Sequence, residues 1–349
     1  MTIKASGSPL KFYDIVKEFG NPTENKLGAY RLNGGETIGT LTNRPLDTGI
    51  PQSVSIGSST IKFSQFYGKK LNIVVNCTGM SDFQTRVNAK NIYNTPISGT
   101  SVTVIGGFKG KPGDTSGSKV YININTKIGS EKGAITNTAF RTGKWNTGTE
   151  LLLEIGSSTR IYGSGGDGGN GGTSTPTAGS NGTSALGIDY PTAITNRGYI
   201  QAGFGGGGGG SYRARNVTIN AGKKNSYNEY NVSSGGGGGG GAGYPGGTRG
   251  TSGGQQGSQG TEGSAGTNGG LETKGTGGLG GQEAGNGGDG GRPASTDATK
   301  GIDSNETGAA PGTTGYAIIY YNPSGAGSSL TNVGTIYPSS RYLYNTNPT

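Results

Sequence analysis

The sequence predicts a mostly β protein: small N-terminal docking modules, then a β-sandwich or short β-solenoid domain, then a bundle of packed glycine helices. Three observations predict it. Short apolar runs, one of them alternating with period two, crowd residues 71–162. Glycine accounts for 76 of 349 residues and concentrates between Gly163 and Gly291. From Gly254 to Gly290 glycine also keeps a three-residue frame. The expected divisions are 1–70 for the docking modules, 71–162 for the β domain, 163–316 for the glycine-rich part, and 317–349 for a β segment returning to the scaffold.

The first element is a helix. Phe12, Ile15, Val16 and Phe19 fall at i, i+3, i+4 and i+7, one face of an α-helix, and Gly20 can cap its C-terminus. At two turns it is too short to stand alone in water, so it must dock on its own chain or on a neighbour. A shortened echo, Ile61-Lys62-Phe63-Ser64-Gln65-Phe66, repeats the start Leu10-Lys11-Phe12 and runs through Tyr67 to Gly68. It reads as a second docking unit of the same kind, with Phe63, Phe66 and Tyr67 as contact candidates.

Strand signals begin at Leu71. The candidates are 71–75, 102–105, 119–124, 150–155 and 160–162, and the third places Val120, Ile122 and Ile124 on one face. Gly106-Gly107 and Lys111-Pro112-Gly113-Asp114 are turn chemistry. A second echo, T-N-x-G-x-I, occurs at Thr195–Ile200 and again at Thr331–Ile336. The two copies bracket the glycine-rich stretch, as they would if the chain left a β scaffold and came back to it.

Glycine occurs there in two patterns. Gly205–Gly210 and Gly235–Gly241 are unbroken runs. In the frame from Gly254 to Gly290, eleven of thirteen positions are glycine, the exceptions being Glu272 and Ala284. A flexible linker has no reason to hold such a frame. Three residues per turn is the period of the polyproline II helix, whose backbone has no internal hydrogen bonds. Packed side by side, such helices can bond laterally, provided that facing positions carry no Cβ. An inner helix then needs glycine nearly everywhere, as in the two runs, and an outer one needs it on one side, as in the frame. Collagen shares the period but needs abundant proline, and Ser252 to Asn268 has none.

Composition removes several function classes. One cysteine, Cys77, and no histidine leave neither a disulfide framework nor a His/Cys metal site. Gly163-Ser164-Gly165-Gly166-Asp167-Gly168 satisfies a dinucleotide-loop pattern that carries no information in a glycine background, and no Gly-Lys is followed by Ser or Thr. No metal and no cofactor is expected. The net charge of +9 is scattered, with Lys69–Lys70 and Lys223–Lys224 only pairs, which argues for a mildly cationic surface and against nucleic acid. No apolar window approaches a membrane span, and the N-terminus lacks a secretory pattern.

Glycine runs alternating with Tyr- and Asn-bearing loops over 163–316 resemble the distal tip adhesins of T-even-like phage long tail fibres, whose glycine runs form a polyglycine II sandwich. Ser8–Ile15, Gly49–Ser53 and Phe63–Gly68 look like N-terminal modules of fibre proteins in marine, cyanophage-like T4 relatives. The resemblance implies a non-enzymatic virion protein, made in the host cytoplasm and acting outside the cell. Its partners would be a bacterial outer-surface protein or glycan and other tail-fibre proteins, with a homotrimer as one arrangement.

The resemblance also implies that receptor specificity lies in loops joining glycine helices. The best match is Ser211 to Ser234, with Tyr212, Arg213, Arg215, Lys223, Lys224, Tyr227 and Tyr230. Tyrosine offers broad contact at low entropy cost, and Arg or Lys can pair with anions. Thr173–Asn196 with Tyr190, the stretch at Tyr244, and Ala294–Gly315 are further candidates. Two alternative functions remain at this level. One is a structural or decorating virion protein without receptor binding. The other is a surface-polysaccharide depolymerase, for which paired carboxylates are wanted and acids are sparse.

Overall fold

A computed structural model describes residues 7–19, 63–67, 73–78, 87–104, 115–172, 175–220, 226–233, 235–253, 264, 266–270, 273–277, 279, 308–321, 328–338 and 342–344. Helix α1 spans Phe12–Phe19, the span that its spacing predicts. Asp14 accepts a hydrogen bond from the Lys11 N–H at 2.9 Å, and Ile15 is fully buried. The echo is a different unit. Phe63–Phe66 forms one 3-10 turn, not a second α-helix, and the Tyr67 hydroxyl ties it to Ser8 by donating to that carbonyl at 2.8 Å.

Strands β1 (Ile73–Cys77) and β2 (Val87–Asn88) precede a short helix, α2 (Ala89–Asn94). Next come β3 (Thr100–Val104), β4 (Lys119–Ile124), β5 (Lys127–Ile128) and β6 (Thr138–Arg141). Then follow β7 (Glu150–Ile155), β8 (Arg160–Tyr162), β9 (Ser184–Ile188), β10 (Thr192–Asn196) and β11 (Tyr199–Gln201). A hairpin of β12 (Arg213–Asn220) and β13 (Ser226–Ser233) leads to β14 (Ile318–Tyr320), β15 (Ser329–Asn332), β16 (Thr335–Tyr337) and β17 (Tyr342–Tyr344). The bounds of β4, β7 and β8 are those that the apolar pattern predicts.

The chain winds through three sheets. Their orders are β15-β10-β7-β4-β1-β3, β16-β11-β8-β5 and β17-β14-β9-β6-β2. From β4 onward each circuit lays one strand in each sheet, parallel to the strand of the circuit before it, as β4-β5-β6 is followed by β7-β8-β9, while β3 pairs antiparallel with β1 at the edge of its sheet. Parallel register stacks like on like. Val75, Ile122, Leu153, Ile194 and Leu330 form one column, Ile128, Ile161, Ile200 and Ile336 a second, and Val87, Phe140, Leu186 and Ile318 a third. These columns meet as one apolar core. Burying each such aliphatic side chain stabilises the fold by about 1.5–3 kcal/mol.

The T-N-x-G-x-I echo is this stacking read in sequence. Thr195 lies against Thr331, Asn196 against Asn332 and Ile200 against Ile336. Buried Asn196 donates to the Asn332 side chain at 2.8 Å and accepts from the Gly198 N–H at 3.0 Å. Both glycines are required by close approach. A Cβ at Gly334 would strike the Gly198 carbonyl, and one at Gly198 would strike that of Gly156.

Two expectations need correction. The strands do not pause between Tyr162 and residue 317, because β9–β11 continue the same sheets within the stretch expected to hold only glycine helices and loops. Thr173–Asn196 is accordingly not a loop, since it holds β9 and β10. The strand β9 is buried at all five positions yet includes Ser184 and Gly187, so its sequence does not alternate. Helix α2 has no counterpart among the expected elements. Asn88 caps it, accepting from the Lys90 N–H at 2.9 Å and the Asn91 N–H at 3.2 Å, and it closes the first end of the winding with Tyr93 tilted on Trp145 at 5.4 Å.

Glycine-rich chain inserts at the same corner of two successive circuits, between β8 and β9 and between β11 and β14. Eight segments are described: I (163–172), II (175–183), III (202–211), IV (235–243), V (245–253), VI (264 and 266–270), VII (273–277 and 279) and VIII (308–316). None is an α-helix or a strand. Lateral hydrogen bonds join them at every third residue. Gly163, Gly166 and Gly169 donate to Gln201, Phe204 and Gly207, while Gly165, Gly168 and Gly171 donate to Pro245, Thr248 and Thr251.

Segments I, III and IV have the most neighbours. Segment IV bonds to I, III, V, VI and VII, and I bonds to II, III, IV and V. Their packing leaves no room for side chains: a Cβ at Gly206, Gly209, Gly238 or Gly241 would collide with a carbonyl of an adjacent segment. In the framed stretch, Gly266, Gly269 and Gly275 face inward in the same way. That stretch is not one outer run. It reverses between Gly270 and Thr273, where the frame breaks, so VI and VII lie antiparallel, with Thr267 donating to Thr276 at 2.9 Å.

Candidate recognition surface

Segment polarity sorts every connection to one of two ends. Residues 163, 183, 203, 243–245, 270–273 and 315 lie at the end next to the sheets, and 172, 175, 210, 235, 251, 264, 279 and 308 lie at the other. The connections beside the sheets are short: the turn at 243–245, and the two residues between Gly270 and Thr273, with the Gly270 N–H donating to the Thr273 carbonyl at 2.8 Å. At the far end lie the described segment ends joined by 173–174, 212–234, 254–263 and 280–307, so all but the first of these pairs of ends are joined by ten or more residues.

The stretch 211–234 is the one far-end connection with described secondary structure. It is not an irregular loop but an antiparallel hairpin, β12 on β13, with Arg213 opposite Ser233, Arg215 opposite Asn231, Asn216 opposite Tyr230 and Ile219 opposite Tyr227. Buried Ser211 and half-buried Tyr212 sit at its base, where segment III ends. Lys223 and Lys224 lie outside the described residues, as do residues 294–307 of the Ala294–Gly315 candidate. Ala309–Gly315 belongs to segment VIII.

Tyr190 and Tyr244 are placed elsewhere. Tyr190 sits at the β9–β10 corner, half-buried against the core, and its hydroxyl donates to the Asn146 carbonyl at 3.0 Å. Tyr244 lies in the tight turn beside the sheets, where its carbonyl accepts from the Ser130 N–H at 3.1 Å and its ring covers Gly129. The candidates therefore divide among the far end, the scaffold corner and the near end. Of the docking candidates, Ile15 and Phe66 are buried, Phe12 and Tyr67 are half-buried and Phe63 is 40% exposed. Val16 and Phe19 fall on α1.

Sequence reasoning missed the side chains that fix the bundle's register. Three Asx-Gly pairs each read both backbone groups of a threonine on the next segment. Gly168 donates to the Thr248 carbonyl while Asp167 accepts the Thr248 N–H at 2.7 Å. Gly171 and Asn170 hold Thr251 in the same way, and Gly182 and Asn181 hold Thr313. The available signal was Asp or Asn followed by Gly at three-residue spacing, 167 and 170, against Thr at the same spacing, 248 and 251.

The charged groups near this region are already committed. Lys132, on the loop before β6, pairs with Asp167 and so pins segment I to the scaffold. Burial acts to raise the Asp167 carboxyl, but hydrogen bonds from Lys132 and Thr248, with the Lys132 charge, outweigh it and hold the carboxyl below its ordinary range. Arg141 forks onto buried Asp189, whose carboxylate also accepts the Gly143 N–H at 3.0 Å. The Cys77 thiol is buried and pushed up to about 12, which removes it as a nucleophile. Among the described residues no cluster of three or more Cys, Asp or Glu could hold a metal ion, and no helix is long and apolar enough to cross a membrane.

The structure is thus a wound β scaffold that carries a glycine-packed bundle. Residues 108–341, well over half of the chain, match the family described as phage tail fibre adhesin Gp38. The chain belongs to that family, and it is a tail-fibre adhesin of a phage virion. One solved structure, the gp37–gp38 adhesin tip complex of the bacteriophage S16 long tail fibre, is similar over 83% of this chain and 88% of that chain, at 18% identity and a TM-score of 0.37. No curated protein matches the chain.

Proposed function

We propose that this adhesin is the receptor-binding tip of its fibre, recognising an outer-membrane protein or a surface glycan through the far-end connections of the bundle, chiefly residues 211–234. The observation that carries the reading is the sorting of connections: those beside the sheets are short, and three of the four far-end connections are long. A recognition surface needs loop chain held by a rigid support, and the long stretches joined to the laterally bonded segments support that reading. On the same reading the bundle is polyglycine II, supported by three-residue lateral bonding and by carbonyls standing where a Cβ would be. The winding is a short β-solenoid. The units at 7–19 and 63–67 attach the adhesin to another fibre protein, and no catalytic step is involved.

The test is an exchange of residues 211–234 for the corresponding stretch of a related phage. Host range is expected to follow the exchanged stretch while virions assemble normally. An unchanged host range with intact virions would overturn the assignment.

A further inference from the structure

The hairpin is an uninterrupted antiparallel ladder of eight pairs, from Arg213↔Ser233 to Asn220↔Ser226. Among the described residues it forms a sheet of two strands and pairs with no third. In such a ladder the N–H and C=O groups of alternate residues face the partner strand, and those of the residues between face away. Each strand therefore presents about half of its backbone donors and acceptors along an outer edge. At 3.3 Å per residue that edge is about 26 Å long.

Proteins blunt free edges with charged residues, lysine above all, with proline or with a bulge. Neither strand contains lysine or proline, the register has no bulge, and the charged residues are only Arg213 and Arg215 at one end of β12 and Glu229 in β13. A two-stranded hairpin is marginally stable in water, so a third strand would stabilise it. Charge narrows what that strand can be. Residues 211–234 carry Arg213, Arg215, Lys223 and Lys224 against Glu229 alone, so an acidic partner is steered toward the hairpin and a basic one is repelled.

We infer that the hairpin recognises its receptor by strand addition: an extended, acidic segment of a bacterial surface protein pairs along one outer edge of β12 or β13. Main-chain hydrogen bonds then supply affinity, and side chains on both strands supply selectivity. A glycan has no peptide ladder to offer. The inference rests on residues 211–234 being the receptor-binding stretch, and the experiment separates the two.

Full-length protein is titrated onto outer-membrane vesicles from the host bacterium and onto vesicles of its purified lipopolysaccharide without protein. Adjacent proline variants are made in each strand, Val217→Pro and Thr218→Pro, Asn231→Pro and Val232→Pro, with alanine at the same four positions as side-chain controls. Because alternate residues face outward, one proline of each pair preserves the internal ladder, and backbone amide exchange identifies which. Binding is expected on the protein-bearing vesicles only. On one strand, the ladder-preserving proline is expected to weaken it about tenfold where alanine leaves it unchanged, since proline removes one edge donor and orphans its acceptor. Wild-type binding by both ladder-preserving prolines overturns strand addition, and so does equal binding to the protein-free vesicles. Deletion of 213–233 checks the underlying reading: if binding survives it, the receptor assignment itself falls.

Discussion

Asn181 shows how little chemistry fixes this bundle. Its carboxamide oxygen takes the Thr313 N–H and hydroxyl, each at 2.9 Å, while Gly182 donates to the Thr313 carbonyl. The site is exposed, so water can replace part of what is lost. Asn181→Ala is expected to cost about 0.5–1 kcal/mol in chemical denaturation, and Asn181→Asp, which keeps the acceptor, to recover most of it. Gly238→Ala is expected to cost about 3 kcal/mol by the same measurement, because the new Cβ meets the Gly207 carbonyl, which cannot move alone. Asp167 adds a pH dependence. Its folded carboxyl titrates below its ordinary value, so its contribution is present above about pH 4 and is lost as pH falls through the lower folded value. The acid limb of the thermal stability curve should flatten in Asp167→Asn.

Among the elements, the circuits of the winding are unequal. Strands β4 and β7 have neighbours on both sides, whereas β15 and β16 end their sheets, with Leu330 and Ile336 half-buried and Val333 76% exposed. Amides of β15 and β16 should therefore exchange with solvent faster than those of β7, as read by hydrogen–deuterium exchange. Matching exchange rates would mean that the last circuit is covered. How legible each element was follows from its burial pattern. Alternation in Lys119–Ile124 and the apolar density of Glu150–Ile155 announced β4 and β7, whose columns bury apolar residues. Strand β9 was silent because a strand buried at every position can use Ser, Gly and Ala. Helix α2 was silent because six residues held by one Asn cap give no period to read. The hairpin gives little strand signal, because Asn216, Asn220, Asn228 and Asn231 break up its apolar positions, and the resemblance implies a loop there.

For the molecule as a whole, the bundle grows out of the winding. Segments I and III leave β8 and β11 and continue their parallel bonding, and II and VIII do the same on entering β9 and β14. The sheets thus start the register that glycine, with no side chain to choose among alternatives, cannot set by itself, and the Asx-threonine contacts hold it farther out. Residues 163–316 made as a separate fragment should lack protected glycine amides in an exchange experiment, while the full chain retains them. Protection in the fragment would show that the bundle finds its own register. The sequence disclosed the glycine frame, yet not that its break at position 272 marks a reversal, because a three-residue period is the same in either chain direction. The far-end connections carry one more consequence, for how such a molecule can change. Inner segments interlock mainly through carbonyls and amides, with Asp167 and Asn170 adding side-chain contacts, and among the described residues these contacts lie within the segments and not in the stretches that join them. Lengthening a connection twofold costs only about 0.6 kcal/mol in closure entropy. Insertions, deletions and whole replacements there can accumulate with little effect on folding. A virus whose host alters its surface therefore has, at this end of the adhesin, a place where trial is cheap.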